Sequence, residues 1–168
     1  AGRQVNLVRL GDGRTGAVAV RGGLDEPRKV LELLHPLTGR VVAEMPLPEP
    51  VTAAFGPAAF PTFSNTFVAG ALFPFDVEGD GVDEVAVSLC HSPLYPGATY
   101  VCDLKRRRVV VAFYGSGHHY AGAAADVDAD GRKELILAGF NNRMGYSGAV
   151  AAMRIPRDEG GTARDEGL

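Results

Sequence analysis

Apolar and β-branched residues run along this chain in short stretches broken by glycine, proline and polar clusters. "TFVAGALFPF", "EVAVSLC", "ATYVCDL" and "VVVAFYG" follow one another through the middle, and "HHYAGAAA", "ELILAGF" and "GAVAAMRI" follow later. Stretches of that length, rich in Val, Ile and aromatics and bounded by turn residues, predict β-strands. A 3.6-residue period is nearly absent. Only "EPRKVLELLH" could pass for a helix, and its Val-Leu-Leu content suits a strand in this frame.

The strands come in a repeating order. "DVEGDGVDEVAVSL" from Asp76 and "DVDADGRKELILAG" from Asp126 stand fifty residues apart, each after an apolar or small-residue run and before a β-rich one. Then come a polar connection ("HSPLYPG" or "NNRMGYS") and another strand-like run. A weaker copy, "RLGDGRTGAVAVRGG", aligns upstream through Gly13 and Gly131. Its later turn "HPLTGR" matches "DLKRRR" in the middle copy. Strand, acidic turn, strand, loop, strand, short turn, strand gives four antiparallel strands per unit, the sequence sign of β-propeller blades. The expected fold is all-β, with about three blades at 4–48, 65–115 and 116–155 in one repeat domain over 1–155. The third unit shows no clear fourth strand, so 156–168 reads as a polar, mobile tail. The Pro-, Ala- and Phe-rich stretch 49–64 is long for a connection and is a candidate functional loop.

With 46% hydrophobic and 22% charged residues among 168, the chain is globular and large enough for one domain with a core. Its net charge of −3 is local: without the eight candidate ligand acids of the two loops it would be +5. No basic face with interleaved aromatics suggests nucleic acid, and no apolar run approaches the roughly 18–20 residues of a membrane helix. The chain starts at Ala1 without Met, which reads as a processed product or an excised piece. Cys90 and Cys102 flank a connection between two strands. A disulfide and two buried thiols both fit that spacing.

The acidic loops carry the clearest chemistry. Carboxylates at positions 1, 3 and 5, glycine at 6 and an acid at 9 aim oxygens at one hard cation, and glycine permits the backbone reversal. The candidate ligands are Asp76, Glu78, Asp80, the carbonyl of Val82 and Glu84, then Asp126, Asp128, Asp130, the carbonyl of Arg132 and Glu134. Four negative groups so close together call for a divalent ion, and an all-oxygen cage suits Ca²⁺ better than Mg²⁺. Two Ca²⁺ per chain are expected. The EF-hand pattern fails, because position 12 is Val87 or Leu137 and the flanks are β. Asp-Gly hairpin turns alone would explain Asp80-Gly81 and Asp130-Gly131, but not acids at positions 1, 3 and 9, twice. The upstream copy has Val8, Leu10, Asp12 and Gly16 at positions 1, 3, 5 and 9 and should bind nothing.

On "DVEGDGVDEVAVS" and "DVDADGRKELILAG", each followed by a glycine-containing strand such as "SGAVAAM", the chain resembles the FG-GAP (integrin-α-like, VCBS-type) repeat family. That resemblance implies a β-propeller with Ca²⁺ in the first hairpin of each blade and an extracellular or periplasmic setting. It implies roles in adhesion, recognition or assembly, and sometimes service as an accessory domain of an enzyme. The family fold usually needs about six to eight blades. Three leave open flanks, so self-association or a protein partner is expected.

Other candidates are weaker. His118 and His119, adjacent in a strand, point to opposite faces, one expected packed and one exposed. His91 and His35 have no acid in register for a zinc set. "KRRR" (Lys105 to Arg108) reads as a solvated hairpin tip, with a phosphate or polyanion site as the alternative. Asp25, Glu26, Glu32, Glu44 and Asp103 form no obvious glycosidase pair, and Ser64, Ser88, Ser92, Ser116 and Ser147 lack a nucleophile elbow. Alternating turns place the longer connections opposite the acidic hairpins, with His91, Tyr95, His118, Asn141, Asn142 and Tyr146 among them. A binding surface is expected there. The favoured reading is a non-enzymatic, calcium-binding recognition or assembly domain. The alternative is a propeller acting on, or accessory to an enzyme acting on, extracellular carbohydrate.

Overall fold

The computed structural model describes residues 4–23, 26, 28–49, 67–91, 96–115, 117–141, 147–155 and 161–164. Among them every regular element is a strand. The first sheet is antiparallel, in the order β1 (Val5–Arg9), β2 (Thr15–Arg21), β3 (Val30–Leu34), β4 (Val41–Pro46). The second runs β5 (Phe67–Phe75), β6 (Glu84–His91), β7 (Gly97–Asp103), β8 (Arg108–Gly115). The third has β9 (Gly117–Ala125), β10 (Glu134–Asn141) and β11 (Ser147–Arg154). "EPRKVLELLH" contributes β3, so tertiary pairing decides its conformation.

Gly161–Arg164, read from the sequence as part of a mobile tail, forms β12. It pairs parallel with β8 along Val111–Tyr114 and extends the second sheet to five strands. An edge strand held by main-chain hydrogen bonds needs no apolar run, which is why composition gave no sign of it.

The three first hairpins can be matched by their strand pairing, the first with a loop one residue shorter. Val8 lies opposite Gly16, Phe75 opposite Glu84 and Ala125 opposite Glu134. Residues opposite each other in an antiparallel pair share a face, so each sheet has a forward side and a backward side. One core joins the forward side of the first sheet (Val8, Val18, Val20, Leu31) to the backward side of the second (Val85, Val87, Tyr100). Another joins the forward side of the second sheet (Phe75, Ala86, Val101, Val111) to Leu135, Leu137 and Met153 of the third. Covered on both sides, β6 and β7 are buried at every residue, hence the mostly apolar, non-alternating run "EVAVSLC". Each fully buried aliphatic side chain is worth about 1.5–3 kcal/mol, and these two layers hold the sheets together.

The inner strands interlock. Asn6 Nδ2 in β1 donates to the Leu72 carbonyl of β5 at 2.6 Å. One sheet further on, the Phe73 ring lies over Gly122 of β9 so closely that a Cβ there would meet it at 2.8 Å. Cys90 lies opposite Gly97 and Cys102 opposite Val85. Five residues of strand separate them, about 17 Å at ~3.4 Å per residue, too far for a disulfide. Both are free, buried thiols.

Candidate metal centre

Both acidic segments join the first two strands of a sheet, and both are shaped by their own carboxylates. Asp76 closes a turn on itself: its Oδ1 accepts from the N–H of Gly79 (2.6 Å) and Asp80 (3.1 Å), and Oδ2 from Gly81 (3.0 Å). Asp126 does the same with Asp130 (3.1 Å) and Gly131 (2.9 Å). Position 5 holds position 7 in each loop, Asp80 accepting from the Val82 N–H and Asp130 from the Arg132 N–H, both at 2.9 Å. Position 9 reaches back across the hairpin mouth: Glu84 accepts from the Val77 N–H at 3.0 Å and Glu134 from the Val127 N–H at 3.1 Å. Gly81 and Gly131 have φ of +80° and +83°, a region an L side chain enters at a cost, so the Asp-Gly pairing is a backbone requirement.

The two loops differ in what surrounds the acids. The carboxylates of Asp126, Asp128 and Asp130 are exposed and place one oxygen each within 4.8 Å of one another. Glu134, which ends the loop, is buried. Its Oε1 makes no hydrogen bond, and Arg154 Nε approaches it at 3.5 Å. The Arg154 guanidinium also pairs with Asp128 and, at 3.1 Å, with Asp130. In the 76–84 loop the acids are paired with neighbouring cations instead. Lys105 holds Asp80 at 3.1 Å, and Arg106 holds Glu78 at 3.3 Å and Asp103 at 2.7 Å. The "KRRR" turn, expected as a solvated tip or polyanion site, thus supplies counter-charges to this loop. The Val82 N–H, and then Lys105, hold the Asp80 carboxyl below its usual range. Burial, aided by Glu78 and Asp103, pushes Glu84 up to about 7 against the hydrogen bond from Val77.

Several participants had no sequence signal that the motif alone could carry. Asp103 sits directly opposite Glu84, and Arg154 opposite Glu134, so strand register would have found them. Asp83 is buried and grips Arg9: Nη2 at 2.7 Å, Nε at 3.0 Å and the Arg9 N–H at 2.7 Å. Counting residues put Val8 at position 1 of the degenerate loop. Pairing corrects this, since Val8 matches Phe75 and Ala125, and Arg9 therefore stands where Asp76 and Asp126 stand. An arginine there answers the acids of the neighbouring loop, and its Nη2 lies 3.6 Å from Asp76.

The other candidates also resolve. His118 and His119 do face opposite ways, but both are buried. His119 Nδ1 lies 3.1 Å from Thr99 Oγ1, and His118 Nδ1 lies 3.1 Å from Tyr120 Oη, in a group where Tyr120 stacks on Phe140. His91 ends β6 and packs edge-on to Phe67 instead of lying in a loop. Glu32 and Glu44 lie directly opposite each other, a pairing the sequence did not reveal, and Arg21 binds both at 2.6 and 3.1 Å. Asp25, Ser64, Ser92, Tyr95, Ser116, Asn142 and Tyr146 lie outside the described residues. Among the described residues no helix is long and apolar enough to cross a membrane.

Compared with known proteins, the chain matches no family model, no curated protein and no solved structure.

Proposed function

We propose that this chain is a calcium-binding, non-enzymatic domain of β-propeller type, akin to FG-GAP and VCBS repeats. It would serve recognition, adhesion or assembly in an extracellular or periplasmic setting. The observation that carries the reading is the 126–134 loop: the carboxylates of Asp126, Asp128 and Asp130 each place an oxygen within 4.8 Å of one another, in a hairpin that ends on buried Glu134. Like charges held so close repel one another, and a hard cation held by oxygens offsets that repulsion. Asp126, Asp128, Asp130, Glu134 and the Arg132 carbonyl would hold that ion, with Arg154 moving aside. The 76–84 loop repeats the spacing and the hairpin, and Asp76, Glu78, Asp80, Glu84 and the Val82 carbonyl would hold a second ion once Lys105 and Arg106 release their acids. The propeller arrangement is supported by three first hairpins in one register and by the interlocking of successive inner strands.

Calorimetric titration of metal-stripped protein should give two calcium sites, the 126–134 loop being the one already gathered. Asp126→Ala and Asp76→Ala should each remove one. A stoichiometry of zero would sink the reading.

A further inference from the structure

A cleft of about 510 Å³ opens between the turn at 10–14 of the first sheet and the turn at 104–107 that joins β7 to β8. That is the size of a small-molecule site. Leu10, Leu33 and Leu104 line it where they pack against the first core, so its apolar floor belongs to the body of the molecule. Its walls are tied together. Leu10 pairs with Val82 in an antiparallel bridge, and a Cβ on Gly11 would meet the Val82 side chain at 3.1 Å. The Asp83 N–H donates to the Arg9 carbonyl at 2.9 Å. A cleft held in this way is in place before a ligand arrives, which lowers the cost of binding.

Three cations and two acids line the same space: Arg14, Lys105 and Arg107 against Asp12 and Asp80. Lys105 and Asp80 pair at 3.1 Å. Arg14, Arg107 and Asp12 enter no ion pair among the described residues. Asp12 and Arg107 also both hold φ at +53°, a region that glycine enters at less cost. The chain keeps an acid and a cation there, and both charges face one cleft.

We propose that this cleft binds a small hydroxylated carboxylate of the sugar-acid class. Two unpaired guanidiniums, one from each wall, offer planar donor forks that match a carboxylate. Asp12 accepts from ligand hydroxyls, and the leucine floor takes the C–H face of a sugar ring. The excess of one cation suits a monoanion. A phosphate dianion would bring its second charge against Asp12 and Asp80. Apart from Asp80 and Val82, these residues are not proposed calcium ligands, and the inference does not rest on calcium.

Glucuronate is the probe. Titrated into metal-stripped protein at fixed ionic strength and followed by amide NMR shifts, it should fill one saturable site with a dissociation constant of about 1 mM or tighter. Glucose lacks the carboxylate and acetate lacks the hydroxyls, so each should bind at least about tenfold more weakly. Arg14→Gln and Arg107→Asn should each weaken glucuronate at least about tenfold; asparagine tolerates the left-handed backbone at 107, and a melting curve checks that the variant folds. Arg108→Gln, next in the chain but outside the cleft, should leave binding unchanged. No saturable shift up to about 20 mM glucuronate would overturn the site. So would equal binding of acetate, glucose or inorganic phosphate, or an Arg108 variant as weak as the Arg107 one. With metal absent throughout, such a failure leaves the calcium reading standing, and a calcium stoichiometry of zero leaves this site standing.

Discussion

Glu84 is the proposed ligand whose carboxyl is pushed furthest from its ordinary behaviour. It is buried opposite buried Asp103, and burial raises its carboxyl from an ordinary 4.5 to about 7. In metal-free protein the folded state therefore holds a proton that the unfolded chain releases. Its contribution to stability is present below about pH 4.5 and is lost as pH rises to about 7, beyond which it is flat. Denaturant melts of metal-stripped protein across that window should show this fall, and Glu84→Gln should flatten it. Identical slopes in the two proteins would contradict the assignment. On the proposed reading calcium would reverse the preference by neutralising the carboxylate, so binding at this loop should release a proton within the same window. At this scale the acidic turns were legible, because acids on alternate residues before a glycine shape the loop through their own hydrogen bonds to its main chain. Arg9, Asp103 and Arg154 were not, since each reaches the acids only through strand pairing.

At the scale of the strand, the informative contact is Gly122 under Phe73. Gly122→Ala would drive a methyl group to 2.8 Å from an aromatic ring held between two sheets. Overpacking of this kind costs about 1–3 kcal/mol, to be read as a lower denaturation midpoint, and Phe73→Leu in the same chain should recover part of it. Full stability in the single variant would mean that β5 and β9 are not so closely seated. The buried thiols test the neighbouring strands. Burial pushes both Cys90 and Cys102 up, which depletes the thiolate, so neither should react with a thiol reagent until the protein unfolds. Rapid labelling of either in native protein would contradict their burial in β6 and β7. Strand identity was readable here because runs such as "EVAVSLC" are dense in β-formers. Which faces touch was not: β6 and β7 are apolar on both sides, and a period that does not alternate cannot say which side meets which sheet. β12 escaped for the opposite reason, as its sequence carries no apolar run and it is defined by main-chain pairing with β8.

Across the whole molecule the three first hairpins form one electrostatic chain. Arg9 of the first loop answers Asp76 and Asp83 of the second, and Lys133 of the third donates to the Asp76 carbonyl. The 76–84 loop is thus tied on both sides, and whatever orders it acts on three sheets at once. Calcium that binds only the native state adds about 2.7 kcal/mol per independent site at 100-fold over its dissociation constant. Excess chelator should therefore lower the melting temperature clearly. The loss should be smaller in Asp76→Ala and Asp126→Ala, each with one site fewer to forfeit. Asp83→Ala tests the coupling itself: it removes the acceptor of three Arg9 donors, one of them a main-chain N–H, while leaving every proposed ligand in place. Arg9 is 59% exposed, so solvent screens its side-chain pair, and most of the expected loss of stability comes from the main-chain N–H left without its acceptor. If the loops act together, Asp83→Ala should also weaken calcium at the 76–84 loop and leave the 126–134 loop nearly untouched, because the Arg9 pairing reaches only the former. Equal loss at both loops, or at neither, would show that the three sheets do not communicate through this line of charges.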